Sequence, residues 1–223
     1  MSNNSMHYAV IKVHVTNVAA FKKAAAKMQA ATLAEEGVLS CDITPLGPVS
    51  FTTFLFGSGP RWLFITKFKN ISAFESHHKT AHFAEWQAEM PKFLELELIK
   101  LGEDISDKER IVNLKPCIDR PVRLSIGVTI PPANVDKFMV LASALTAASL
   151  EEEGVLHYTL CKAQPLPHAP ASTSTDVEFF FVESYASEEA MNFHRGTRHV
   201  EKFMKDVKPL GVFEKSMNRN YSI

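Results

Sequence analysis

The feature that most constrains this chain is an internal repeat, because one segment of the sequence occurs twice. Residues 30–39 return as residues 147–156, and the offset between Gly37 and Gly154 is 117 residues. The same offset pairs Asn17 with Asn134, Phe21 with Phe138, Phe64 with Phe181, Ala73 with Ala190, His77 with His194, Thr80 with Thr197, and His82 with His199. One constant offset aligns most of each half, so the 223 residues contain one unit twice.

Each copy predicts the element order β-α-β-β-α-β. Residues 7–15 alternate and are rich in β-branched side chains, which predicts a strand. Asn17 then predicts a helix N-cap. An apolar stripe follows at helical spacing in both copies, at Val18, Phe21, Ala25, Met28 and Thr32, and at Val135, Phe138, Ala142, Leu145 and Ser149. We expect Gly37 and Gly154 to end these helices with a positive φ.

The remaining elements follow the same order in both copies. We expect the second and third strands at 38–43 and 62–68, and at 155–161 and 177–185. The second helical stretch is predicted over 71–94 and 188–207. A short last strand closes each copy, at 96–101 and 212–217.

This order predicts an α+β fold of two tandem ferredoxin-like (βαββαβ) repeats. Helices cover only one face of such a sheet, so we expect the two bare faces to pack together as an internal pseudo-dimeric α/β barrel. The predicted domains are residues 1–103 and 120–223, joined by a linker at 104–119.

Composition excludes several classes of function. The formal net charge is -1, without the basic excess of a nucleic-acid-binding protein. No apolar run is long enough to cross a membrane, the first residues do not resemble a signal peptide, and three cysteines give no disulfide framework. We therefore expect a cytoplasmic protein that binds no nucleic acid and no membrane.

Two sets of motifs carry a family resemblance. The first copy contains Glu36-Gly37-Val38-Leu39 and Phe64-Ile65-Thr66-Lys67-Phe68, followed by Phe74, His77, Thr80, His82 and Phe83. The second contains Glu153-Gly154-Val155-Leu156-His157-Tyr158 and Phe181-Val182-Glu183-Ser184-Tyr185, followed by Met191, His194, Thr197 and His199. In order and spacing they resemble the antibiotic biosynthesis monooxygenase (ABM) superfamily.

The resemblance implies a range of activities rather than one. Members of this superfamily include cofactor-independent monooxygenases of quinols and aromatic polyketides, haem-degrading enzymes, an isomerase and proteins without known activity. Most are dimers of one-copy chains, so a two-copy chain corresponds to a fused dimer, which could itself form a further homodimer.

The paired histidines are the first candidates for catalysis. In related enzymes a histidine at the position of His77 and His194 reaches the pocket between sheet and helices. There it could remove a phenolic proton, since its ordinary pKa is about 6.5. The alternative is a surface or capping histidine. His82 and His199 lie five residues further on and would point about 140° away in a continuous helix. They join the same pocket only if the helix breaks at Thr80 and Thr197.

Glu183 and Tyr158 match family positions that carry a pocket carboxylate and a pocket tyrosine. We expect Glu183 to orient His194. The first copy has Thr66 and Cys41 at these positions, so the resemblance predicts a working site in the second copy and a weaker counterpart around His77. Phe68 and Tyr185 are expected to contact the substrate.

Metal and cofactor sites have little support in the sequence. His78 and His82 have i,i+4 spacing, but Arg195 replaces His78 in the second copy, so we expect no metal. Phe68 and Tyr185 stand where haem-degrading members carry tryptophan, and no phosphate-binding loop is present, so no cofactor is expected. The glutamates at 35–36 and 151–153 are interpreted as solvated turns.

The leading hypothesis is a cofactor-independent monooxygenase of a small aromatic or quinol-like molecule. Two alternatives stay open. One is a non-catalytic small-molecule-binding protein, and the other is an isomerase of a small carbonyl compound that uses the same histidine as its base.

Overall fold

The computed structural model of the chain describes residues 5–46, 60–106, 121–166 and 174–213, which belong to two compact units, Met1–Glu103 and Asp104–Ile223. Most of the predicted linker, residues 107–119, and the end of the last predicted strand, residues 214–217, lie outside the described residues. The predicted packing of the two bare sheet faces stays a prediction.

The first unit has the predicted order of elements. They are β1 (His7–Val15), α1 (Val18–Leu33), β2 (Val38–Leu46), β3 (Arg61–Phe68), α2 (Ile71–His77), α3 (Ala81–Glu89), a 3-10 turn (Met90–Lys92) and β4 (Leu94–Asp104). The strands lie in the order β2-β3-β1-β4, and all neighbours are antiparallel. This is the strand order of the ferredoxin-like unit.

The second unit repeats this arrangement. Its elements are β5 (Val122–Ile130), a 3-10 turn (Pro132–Asn134), α4 (Val135–Ser149), β6 (Val155–Gln164), β7 (Val177–Tyr185), α5 (Glu188–Arg195), α6 (Arg198–Val207) and β8 (Val212–Phe213). The strands lie in the order β6-β7-β5-β8. The two tandem ferredoxin-like repeats are therefore confirmed.

The helices cover one face of each sheet. In the first unit α1 and α3 bury Phe21, Ala25 and Trp86 against Trp62 and Phe64 of β3. In the second unit the corresponding positions are buried as well, with Phe138, Ala142 and Leu145 of α4 packed on Phe179 and Phe181 of β7. The predicted helix stripe is buried from its second residue onward, whereas Val18 is exposed.

The role predicted for the two glycines is wrong. Helices α1 and α4 end at Leu33 and Ser149, and neither Gly37 nor Gly154 has a positive φ. Instead, a Cβ atom on Gly37 would lie 2.4 Å from the Cβ of Ala73, and a Cβ on Gly154 would lie 2.4 Å from that of Ala190. Glycine is therefore required because the start of β2 or β6 approaches the following helix closely.

The second helical stretch is interrupted in both units. One helical stretch was predicted in each copy, with a break at Thr80 and Thr197 left open. The break is present, because α2 ends at His77 and α3 begins after Thr80, and α5 and α6 are separated in the same way. The last strand of the first unit is longer than predicted, because β4 begins at Leu94 and continues to Asp104. Within the described residues, no helix is long and apolar enough to cross a membrane.

Candidate functional site

The helix break turns two histidines of each repeat toward the same point. Thr80 is the N-cap of α3, and its hydroxyl oxygen accepts from the backbone N–H of Phe83 at 3.3 Å. The same hydroxyl donates to the carbonyl of His77 at 2.7 Å, and Thr197 donates to the carbonyl of His194 at 2.7 Å. The break that would bring both histidines into one site is therefore present in both repeats.

A glutamate at the end of the first helix joins the two imidazoles of the first repeat. The Oε1 atom of Glu35 lies 2.6 Å from Nδ1 of His77 and 2.9 Å from Nε2 of His82. His77 is buried, whereas 17% of the Glu35 side chain and 22% of the His82 side chain are exposed. We call Glu35, His77 and His82 the first triad.

The second repeat contains the same arrangement. The Oε1 atom of Glu152 lies 2.8 Å from Nδ1 of His194 and 2.7 Å from Nε2 of His199. The Glu152 side chain is only 8% exposed, and His199 is the most open of the three at 28%. We call Glu152, His194 and His199 the second triad.

Each carboxylate fixes the tautomer of the buried histidine beside it. A carboxylate oxygen only accepts hydrogen bonds, so the Nδ1 atom facing it carries the hydrogen. In the neutral ring the Nε2 atom of His77 or His194 then keeps its lone pair and faces away from the glutamate. Burial lowers the pKa of His77, and the hydrogen bond to Glu35 opposes that shift. The geometry is that of a base held in place by a carboxylate.

The interpretation of the glutamates as solvated turns is wrong for Glu35 and Glu152. Both side chains point inward onto two histidines, and Glu152 is nearly buried. Glu183 was expected to orient His194, but the carboxylate that hydrogen-bonds His194 is that of Glu152. The sequence did hold a signal for this pair, since Glu35 and Glu152 are related by the same offset as the histidines.

A carboxyl group between two phenols distinguishes the second repeat. The hydroxyl of Tyr185 donates to Oε2 of Glu183 at 2.7 Å, and Tyr158, opposite Glu183 in the strand register, interacts with the same carboxyl group. The ring of His194 lies 5.4 Å from that of Tyr158 and 5.3 Å from that of Tyr185, measured between centroids. The structure thus brings together four residues that the sequence selected.

Burial dominates the electrostatics of this cluster. It raises the pKa of Glu183, although the hydrogen bond from Tyr185 and the charge of His194 act in the opposite direction. Burial and the neighbouring Glu183 raise the pKa values of Tyr158 and Tyr185 well above their usual range. Both phenols are therefore neutral at ordinary pH, and Glu183 holds a proton more readily than an exposed glutamate does.

The first repeat has a different set of side chains around its histidine. Cys41 stands opposite Thr66 in the register, and the Thr66 hydroxyl donates to its sulfur at 3.6 Å. Burial raises the pKa of the Cys41 thiol to about 11, so it is a poor nucleophile. The ring of Phe68 lies 5.5 Å from that of His77. The side chains around His77 therefore differ from those around His194.

His78 and His82 do not share one helix face, because the helix breaks between them. His78 follows the last residue of α2, and its Nδ1 atom bonds the carbonyl of Phe74 at 2.9 Å. Among the described residues, the groupings of potential metal ligands are the two triads, in each of which the ligand atoms lie within 4.8 Å of one another.

Comparison with known protein families shows which family the chain belongs to. The sequence profile of the antibiotic biosynthesis monooxygenase family matches residues 6–89 and again residues 121–206. The chain belongs to this family. Both matched segments contain a complete triad, so the sites described above lie inside the two family domains. A search of curated proteins finds no match.

Solved structures share the fold over the whole chain at low sequence identity. A candidate monooxygenase from Fusobacterium nucleatum is 15% identical, with full coverage of both chains and a TM-score of 0.71. A candidate monooxygenase from Lactobacillus acidophilus is 18% identical over 98% of this chain and 93% of its own, with a TM-score of 0.64. An anthrone oxidase-like protein is 11% identical over 100% of this chain and 94% of its own, also with a TM-score of 0.64. These likenesses establish the fold alone.

Proposed function

We propose that this ABM-family protein is a monooxygenase of a small aromatic or quinol-like molecule, that it works without metal or flavin, and that its second repeat carries the chemistry. The observation that supports this most is the hydrogen bond from Nδ1 of His194 to Glu152. It holds a lone pair on Nε2 beside two aromatic rings and a buried carboxyl group.

His194 acts as the general base. Its Nε2 atom takes a proton from a phenolic hydroxyl of the substrate, and Glu152 stabilises the imidazolium that forms. The rings of Tyr158 and Tyr185 both lie close to the imidazole ring, and aromatic surfaces of this kind suit a flat substrate.

The substrate anion then reacts directly with oxygen. It passes electrons to O2, a carbon–oxygen bond forms, and the peroxide takes back the proton held by His194. Cleavage of the O–O bond leaves one oxygen atom in the product as a carbonyl. The other leaves as water with the two hydrogens lost from the substrate, so one O2 is consumed for each substrate. A fold neighbour named anthrone oxidase-like is consistent with this substrate class.

Oxygen uptake tests the proposal. Protein freed of metal and flavin is assayed over a panel of hydroquinones, anthrones and related phenols, beside the variant His194→Gln. We expect uptake on at least one compound and a loss of about 10²–10⁴-fold in the variant, the usual contribution of a general base. The matched variant His77→Gln controls for loss of a buried histidine, and we expect its effect to be at least tenfold smaller. A larger effect at His77 contradicts the assignment to the second repeat.

The raised pKa of Glu183 favours a second function, isomerisation of a small carbonyl compound. A protonated Glu183 could donate to the carbonyl oxygen while His194 removes a neighbouring proton. This reaction needs no oxygen, so turnover that continues under nitrogen separates it from the monooxygenase. Binding of the panel compounds without any turnover would indicate the non-catalytic protein.

A further inference from the structure

The first triad has the composition of a metal site that the sequence did not reveal. In the sequence, metal-like spacing is found at His78 and His82, but these two residues belong to different structural segments. The fold instead brings together one carboxylate oxygen and two imidazole nitrogens, from Glu35, His77 and His82. Two histidines and one carboxylate, with a remaining position for water, form a common ligand set for Zn²⁺ and related ions.

We propose that the first repeat binds one divalent first-row transition-metal ion, with Zn²⁺ the best fit, through Glu35 Oε1, His77 Nδ1 and His82 Nε2.

The spacing of the three atoms is compatible with such an ion. Zn–N and Zn–O bonds of about 2.0–2.2 Å in a tetrahedral site place neighbouring ligand atoms about 3.4 Å apart. The two carboxylate–imidazole distances are 2.6 and 2.9 Å, and all three atoms lie within 4.8 Å of one another. Binding therefore needs each nitrogen to move away from the carboxylate oxygen by less than about 1 Å, and the two nitrogens to approach each other by at most about 1.4 Å, both within the reach of side-chain rotation.

Imidazole binds metal ions in its neutral form. Each ring then binds the ion by shifting its remaining hydrogen to the other nitrogen. The partly exposed side chains of Glu35 and His82 leave a path for the ion from solvent.

The second triad has the same three ligands but a less favourable setting. Arg195 follows His194 directly, and its positive charge acts within this cluster, because it lowers the pKa of Glu183. The first repeat has His78 at this position. Glu152 is also half as exposed as Glu35. The second triad therefore binds a divalent cation less favourably than the first, because Arg195 adds a positive charge nearby and Glu152 is less accessible to water.

Metal titration of the full chain tests the proposal. Protein treated with a chelator is titrated with Zn²⁺ against a chromogenic competitor, and with Co²⁺ as a visible-absorption probe. We expect one ion per chain and Co²⁺ bands of a low-coordinate nitrogen–oxygen site. Zero ions, or two of equal affinity, would overturn the proposal.

Matched substitutions locate the ion. We expect Glu35→Gln and His82→Asn each to weaken Zn²⁺ binding by at least tenfold, while Glu152→Gln and His199→Asn leave it within twofold. Far-UV circular dichroism and thermal unfolding establish that each variant is folded. Retained binding in a folded Glu35→Gln variant, or loss in Glu152→Gln, would contradict the assignment. Because oxygen uptake is assigned to the second repeat in metal-free protein, either proposal can fail while the other stands.

Discussion

One carboxylate oxygen in each repeat contacts two imidazoles, and the two repeats differ in the side chains that surround the buried imidazole. In the second repeat the held histidine lies beside Glu183 and two tyrosines, whereas in the first it lies beside a thiol, a threonine and a phenylalanine. The buried histidine thus lies among polar aromatic side chains in the second repeat and among mostly apolar ones in the first.

The buried carboxyl group of Glu183 gives a residue-scale prediction about pH. Its pKa is raised in the folded protein, so the unfolded chain loses this proton at a lower pH than the folded chain does. The free energy of unfolding therefore falls as pH rises from the ordinary glutamate pKa through the raised folded-state value. We expect Glu183→Gln to remove this component, so that its stability curve falls less between these two pKa values.

Urea unfolding at a series of pH values between about 4 and 8 measures this difference. The control is Glu178→Gln, which removes an exposed carboxyl group from the same strand. Parallel stability curves for wild type and Glu183→Gln would show that Glu183 titrates as it does in the unfolded chain.

Which residues form the site could be predicted only in part. His77 and His194 followed from the repeat, and Glu183 and Tyr158 from the family resemblance. Glu35 and Glu152 were missed because a glutamate at a helix C-terminus is usually exposed, and the helix dipole disfavours it there. Two histidine N–H groups, donated from across the site, supply the compensation that local sequence rules do not represent.

At the scale of elements, the fold was largely predictable because the repeat shows the sequence pattern of most helices and strands twice. Strands, the first helix and its Asn17 cap appear as expected, with Asn17 accepting from the N–H of Ala20 at 3.1 Å. The glycines were misassigned because their requirement comes from a long-range approach between β2 and α2, which no local pattern contains. Most of the predicted linker and the last residues of the chain lie outside the part of the structure that is described.

That close approach gives an element-scale prediction. Gly37→Ala places a methyl group 2.4 Å from the Cβ of Ala73, so we expect the free energy of unfolding to fall by about 1–3 kcal/mol, the usual cost of overpacking. Both tryptophans of the chain, Trp62 and Trp86, lie in the core of this unit, so their fluorescence reports its unfolding.

A double-mutant cycle with Ala73→Gly separates the steric effect from helix propensity. Ala73→Gly alone removes the obstructing methyl group and costs about 1 kcal/mol because glycine weakens α2. The double variant should be less destabilised than the sum of the two single variants. Additive effects would mean that the two Cβ atoms do not compete for the same space.

At the scale of the whole molecule, the two repeats have the same elements in the same order but different side chains around their buried histidines. Both repeats retain the helix break, the threonine beside it and the triad. Only the second retains the carboxyl–phenol cluster, and only the first has histidine rather than arginine after the buried histidine. The arrangement permits one repeat to carry the reaction while the other holds an ion.

The central claim is that Glu152 orients the catalytic base of the second repeat, and the matched pair Glu152→Gln and Glu35→Gln tests it most directly. The measurement is kcat/KM for oxygen uptake by metal-free protein on the best compound of the panel. Glu152→Gln should lower kcat/KM by about 10–100-fold. The amide can donate an N–H to Nδ1 of His194, so Nδ1 no longer has to carry the hydrogen and the lone pair is no longer kept on Nε2. The loss in Glu35→Gln should be at least tenfold smaller. Equal losses in both variants, or a larger loss in Glu35→Gln, would contradict the account.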